Sequence, residues 1–161
     1  MPKAPRPPPG TTISFGRLVG VLGYNLRRAQ VRAFKTFEQV LGPDVQPGHL
    51  AVLCLIEANP GIKQTTLAGA LSVDRSTVVR LIDRCEAADL VRRSPSKVDR
   101  RAAPPLLTPI GRRYMEQIWP KIEANEARLA EPLTAAEVRT LLRLLQKLTG
   151  LHAQAPPSVS A

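Results

Sequence analysis

Apolar residues recur at three- and four-residue steps from Phe15 through Leu18, Leu22, Leu26, Ala29, Ala33 and Phe37 to Val40. That spacing is one stripe of a long amphipathic helix. A stripe of this length constrains the fold strongly, because it must be covered by other elements of the chain or by a second chain. Gly42-Pro43 ends the helix, since glycine caps a helix cheaply and proline cannot continue one.

The same rhythm returns downstream. Pro47 suits a first helical position, and Leu50, Leu53 and Ile56 follow at helical spacing until Asn59-Pro60-Gly61. A short third helix fits Thr65 to Leu71, and Asp74 is the N-cap of a fourth in which Val78, Leu81, Ile82 and Cys85 obey the i, i+3, i+4, i+7 rule. Leu90 to Ser94 reads as a strand, and periodicity is lost between Pro95 and Pro105. Thr108-Pro109 is a cap followed by proline at N1, opening a fifth helix with Met115, Ile118, Trp119 and Ile122 on one face. Pro120 is expected to kink or split it. Thr134 and Glu137 form a capping box for a sixth helix, with Val138, Leu141, Leu142, Leu145 and Leu148 inward and Gly150 beyond its end.

The chain has 161 residues, enough for one domain with a real core. Its 23 Lys and Arg against 13 Asp and Glu leave a net charge of +10. Such a surplus attracts polyanions, which makes nucleic acid the leading partner. The longest apolar run, Leu50 to Ile56, is seven residues, far short of the roughly 20 that cross a bilayer. With no apolar signal segment among the first residues, no membrane association and a cytoplasmic location are expected. Cys54 and Cys85 have neither metal-ligand spacing nor a disulfide framework, so both read as packed thiols. The two histidines, His49 and His152, join no catalytic grouping and there is no phosphate loop. No catalytic residue, no metal and no cofactor is expected, and the chain does not read as an enzyme.

On the fourth helix, at 100° per residue, Val78, Leu81, Ile82 and Cys85 share one side. Ser76, Arg80 and Asp83 point the other way, flanked by Arg75, Thr77, Val79 and Arg84. A short helix, a turn and a helix with one apolar and one donor-rich face make a helix-turn-helix, whose second helix enters the major groove, and that narrows the partner to double-stranded DNA. Arg80 suits guanine O6 and N7, Ser76 or Thr77 suits bases or phosphates, and Val79 suits a thymine methyl. After it, Arg92, Arg93, Lys97, Arg100 and Arg101 stand against Asp99 alone in ten residues. That is the composition of a basic wing.

Leu90-Val91-Arg92-Arg93, then Asp99-Arg100-Arg101, then Leu107-Thr108-Pro109-Ile110-Gly111 resembles the winged helix-turn-helix of MarR-type transcriptional regulators. The nine-residue step from Asp99 to Thr108 matches that family's wing signature, with Leu67-Ala68, Leu71, Val73, Val78 and Leu81-Ile82 upstream in the same order. The resemblance implies a mainly α fold: a winged helix-turn-helix with a two-stranded wing and long N- and C-terminal dimerisation helices. It implies a homodimer on a palindromic operator, with Arg101 at the wing tip in the minor groove and Asp99 holding it. The corresponding division is a basic Pro-rich tail at 1–11, a dimerisation helix at 12–44, the DNA-binding domain at 45–107, dimerisation helices at 108–150 and a second unstructured tail at 151–161. The expected DNA contacts are Arg75, Ser76, Thr77, Val79, Arg80, Arg84, Lys97, Asp99, Arg100 and Arg101. Five positions depart from the family pattern: Pro104 and Pro105 on the return strand, Asp89 and Ser72 where glycine is usual, and Lys63 in place of a capping Ser or Thr.

The resemblance also implies a small effector, of the aromatic acid or acyl-CoA type, that relieves repression. Tyr24, Arg28 and His49 are the polar candidates for contacting it. Three other readings remain open at this level: a DNA-coating protein held by phosphates alone, a regulator sensing oxidants through a cysteine, and a helical adaptor for acidic proteins.

Overall fold

The computed structural model describes residues 13–94 and 103–151. In chain order it contains a 3₁₀ turn (Gly16–Gly20), α1 (Leu22–Leu41), α2 (Pro47–Ala58), α3 (Gln64–Leu71), α4 (Arg75–Ala87), β1 (Val91–Arg93), β2 (Pro105–Leu107), α5 (Pro109–Ala130) and α6 (Ala135–Thr149). The fold is mainly α, a winged helix-turn-helix with long terminal helices. Two compact units divide the chain at 35/36, within α1.

In the first unit the expected continuous helix is interrupted. Gly16 sits at φ +49°, and Val21 is extended at φ −90°, ψ 112°. The side chain of Asn25 donates to the carbonyls of Val19 (2.8 Å) and Val21 (2.9 Å). It thereby satisfies the Val19 carbonyl, which an unbroken helix would have paired itself, while the Val21 carbonyl also accepts from the Asn25 backbone amide at 3.1 Å. The stripe from Phe15 to Leu18 therefore belongs to a separate short turn.

In the second unit Val52, Leu53 and Ile56 of α2, Leu67 of α3, and Val78, Ile82 and Cys85 of α4 are buried together. Val91 and Leu107 of the strands, Met115 and Ile118 of α5 and Leu41 complete the core. Leu81, assigned to the same face, is only half-buried against it. Full burial of such side chains stabilises by roughly 1.5–3 kcal/mol each, which holds the helix-turn-helix rigid behind its exposed face.

The two departures from glycine are accommodated by strain. Ser72 closes α3 at φ 52°, and Asp89 follows α4 at φ 55°, both in the left-handed region that costs a non-glycine residue about 1–2 kcal/mol. Lys63 precedes α3 with no side-chain cap. β1 and β2 pair antiparallel with Val91 opposite Leu107 and Arg93 opposite Pro105. At three residues each, the strands are short, as two prolines on the return side require.

Thr108 fastens the wing to α5. Its amide donates to the Leu90 carbonyl (3.1 Å), its hydroxyl donates to the Asp89 carbonyl (2.6 Å), and the same oxygen accepts from the Gly111 amide (2.9 Å). α5 is not split at Pro120; Met115 and Ile118 are buried, but Trp119 is 48% exposed. Thr134 and Glu137 form the capping box and Gly150 closes α6 at φ 70°. α6 buries no residue: Leu141, Leu142 and Leu148, read as inward, are all about half exposed. Its apolar stripe faces out of this chain. Among the described residues no helix is long and apolar enough to cross a membrane.

Candidate nucleic-acid interface

The outward side of α4 is organised from its N-cap. Asp74 accepts from the Thr77 amide (2.8 Å), the Thr77 hydroxyl (2.7 Å) and the Ser76 hydroxyl (2.5 Å). Those bonds, the Ser76 hydroxyl foremost, hold the Asp74 carboxyl well below the usual carboxylate range. Arg80 in turn donates to the Thr77 hydroxyl at 3.0 Å. Asp74, Ser76, Thr77 and Arg80 thus form one hydrogen-bonded surface at the start of the helix. Sequence reading identified Asp74 as a cap but missed that it aims two hydroxyls; the signal was Ser76 and Thr77 two and three residues on.

Arg75, Ser76, Arg80 and Arg84 are exposed, and Thr77 and Val79 are half-buried. All six lie on α4. The remaining expected DNA contacts, Lys97, Asp99, Arg100 and Arg101, lie outside the described residues. Of the wing cations that are described, Arg92 is exposed but Arg93 is not free. It turns inward from β1 to pair with Asp83 at 2.5 Å and with Glu86.

The effector candidates fall in two places. In the first unit Arg28 donates to the Tyr24 hydroxyl (3.4 Å), and its guanidinium lies 4.8 Å from the Phe15 ring centre and 5.9 Å from that of Tyr24. Phe15 was missed as a member of this cation–π group. In the second unit His49 lines a cleft of about 520 Å³ with Asp44, Leu53, Arg84, Cys85 and Tyr114. The His49 Nε2 is buried there without a hydrogen-bond partner. Burial, and secondarily Arg84, lowers the His49 pKa, so the neutral ring is favoured. Burial also raises the Tyr114 pKa.

Burial moves both thiols away from the thiolate form. Cys85 is buried and its thiol is pushed up to about 11, and burial followed by Glu57 raises that of half-buried Cys54. Reactive thiolates need the opposite shift.

This arrangement has known counterparts. The sequence model of the MarR family matches residues 45–103, the segment that carries α2, α3, α4 and β1 and ends just short of β2. A protein assigned to transcriptional regulation of the hcr operon in Thauera aromatica is 34% identical over 146 residues, 89% of this chain and 88% of its own. The multiple antibiotic resistance protein MarR of Salmonella typhimurium is 31% identical, covering 84% of this chain and 91% of its own. Among solved structures, the transcriptional repressor CouR bound to a 23-mer DNA duplex superposes with a TM-score of 0.79 at 33% identity, over 86% of this chain and 99% of that one. CouR bound to p-coumaroyl-CoA gives 0.75 at 31% identity, over 86% and 98%. A donor-bearing recognition helix, a short wing fastened by Thr108 and this agreement over most of the length make the chain a transcriptional regulator of the MarR family.

Proposed function

We propose that the chain is a homodimeric, sequence-specific repressor that reads a palindromic operator and is released from it by a small anionic effector. The observation that carries the reading is the pre-formed Asp74–Thr77–Arg80 surface on a helix whose opposite face is the core. A pre-formed polar set costs little ordering on binding; with their protons held by Asp74, the Ser76 and Thr77 hydroxyls present acceptors and Arg80 presents the free donors. In this reading Arg80 contacts guanine, Ser76 and Thr77 contact bases as acceptors, or phosphates where they give up their bonds to Asp74, Val79 a thymine methyl, and Arg75 and Arg84 phosphates. Lys97, Asp99, Arg100 and Arg101, outside the described residues, enter this reading through the family resemblance alone. The two recognition helices then address half-sites about one helical turn apart, and the protein acts in the cytoplasm, where the DNA is.

Dimerisation is supported by apolar surface that this chain leaves uncovered. Leu141, Leu142, Leu144 and Leu148 on α6, and Leu18, Val19 and Leu22 near the N-terminus, are each at least 45% exposed.

The effector reading rests on the His49 cleft. Arg84 supplies a permanent positive charge, the unpartnered His49 Nε2 a polar anchor, and Leu50, Leu53 and Leu90 an apolar wall. That combination fits an organic anion with an apolar body. Tyr24 and Arg28 are the candidates on the first unit. Because Arg84 is also one of the α4 cations, an occupant that engages it competes with phosphate for the same guanidinium. This gives the differential affinity that release requires.

Selection from random duplexes with the purified wild-type protein and Arg80→Ala tests the reading. The wild type is expected to enrich a palindrome and the variant to lose guanine preference at one position per half-site. Enrichment of no common sequence would leave a phosphate-coating protein instead.

A further inference from the structure

The outer stripe of α4 carries an anomaly for a helix that approaches a polyanion. Ser76, Arg80 and Asp83 lie at steps of four and three residues and share one side, so a carboxylate follows the hydroxyl and the guanidinium. Glu86 adds a second acid one turn on. Unneutralised acids at that end would repel the phosphates that Arg80 and Arg84 attract.

β1 brings the counter-charge. Alternation along the strand leaves Arg92 exposed and turns Arg93 toward α4. Its guanidinium reaches Asp83 at 2.5 Å and also pairs with Glu86. The Arg93 side chain is 6% exposed, whereas that of Asp83 is 55% exposed. The arginine is therefore spent on the helix and the acid remains at the surface.

We propose that Arg93 is a positioning residue of the DNA-binding surface: held between Asp83 and Glu86, it cancels the acids of the recognition helix so that the helix can approach phosphate. Arg93 touches no DNA. It makes α4 a donor-and-cation face from Arg75 to Arg84, and it ties the first wing strand to the helix by the same contacts. The inference rests on the reading that α4 faces DNA.

The test compares dimers of the wild type, Arg93→Met, Asp83→Asn and the triple variant Arg93→Met/Asp83→Asn/Glu86→Gln, with Arg80→Ala as control. Affinity for the selected duplex is measured by anisotropy at several salt concentrations. Arg93→Met is expected to bind about tenfold more weakly or worse at low salt, with the deficit shrinking as salt screens the exposed acids. The triple variant, which removes the acids as well, is expected to recover most of that loss. Asp83→Asn, a surface change that removes an acid and leaves Arg93 paired with Glu86, is expected to bind more tightly than the wild type at low salt.

Wild-type affinity in Arg93→Met, or no recovery in the triple variant, overturns the inference. So does weakened binding by Asp83→Asn, which would mean that Asp83 itself accepts from a base such as cytosine. Should Arg93→Met not fold, the Asp83→Asn outcome still decides. If Arg80→Ala binds like the wild type, it is the assignment of α4 to DNA that fails. If Arg80→Ala is weak while the acid and Arg93 variants change nothing, only the charge-cancelling role fails.

Discussion

Gly111, on the first turn of α5, lies against the main chain of Leu90: a Cβ built on it would stand 2.0 Å from the Leu90 carbonyl oxygen and 2.9 Å from its carbon. Both obstacles are backbone, and the Leu90 oxygen is already held by the Thr108 amide. The close approach packs the start of α5 onto the end of the helix-turn-helix, so the position of the wing base depends on a missing side chain.

Gly111→Ala is therefore expected to destabilise the fold by about 3 kcal/mol or more, since neither backbone segment can yield without breaking the Thr108 bonds. Denaturant titration measures it. A loss under about 1 kcal/mol would show that α5 can shift to make room.

Ser72→Gly and Asp89→Gly relieve the left-handed strain at φ 52° and φ 55°. Each is expected to stabilise, by about 0.5–1 kcal/mol, and Ser72→Gly by more, because aspartate tolerates this region better than serine. Destabilisation at either position in thermal melts would mean that the side chain contributes more than its backbone costs.

How far the sequence could be read depended on the range of the interaction. The caps at Asp74, Thr108 and Thr134 were legible because cap and partner lie within three residues of each other. The break at Val21 was not, because it depends on the Asn25 amide reaching back to two carbonyls while the apolar period runs on undisturbed. Arg93 counted as a wing cation in sequence, and only β1 beside α4 makes it the partner of Asp83 ten residues away. The Leu141–Leu148 stripe signals burial without saying against which chain. The outward placement of Arg75, Ser76, Arg80 and Arg84 on α4 was legible from helical phase, and the hydroxyl-aiming role of Asp74 needed atomic positions.

The Asp74 cap has a pH signature. Its carboxyl is held low by hydroxyl and amide donors. A group with a depressed folded pKa stabilises above its unfolded value, about 3.9, and that stability is lost as pH falls through the folded value. Asp74→Ala is expected to lower stability at neutral pH, with the difference from the wild type closing below about pH 4. A difference that persists unchanged in acid would show that ionisation of Asp74 is irrelevant to the cap.

Cys85 is expected to resist alkylation in the native protein. With its thiol at about 11, only about one part in ten thousand is thiolate at pH 7, and it is buried as well. Native labelling should be slow compared with labelling in denaturant. Rapid native labelling that also abolishes DNA binding would restore the oxidant-sensing reading.

The central claim is that the α4 surface reads sequence. Fluorescence anisotropy of the wild-type protein on its selected duplex and on a shuffled copy, across a salt series, tests it most directly. The protein is expected to prefer the selected duplex by about 1,000-fold or more, a preference largely retained as salt weakens both complexes. Two curves that coincide and fall together with salt would contradict it and leave a protein held by phosphates alone.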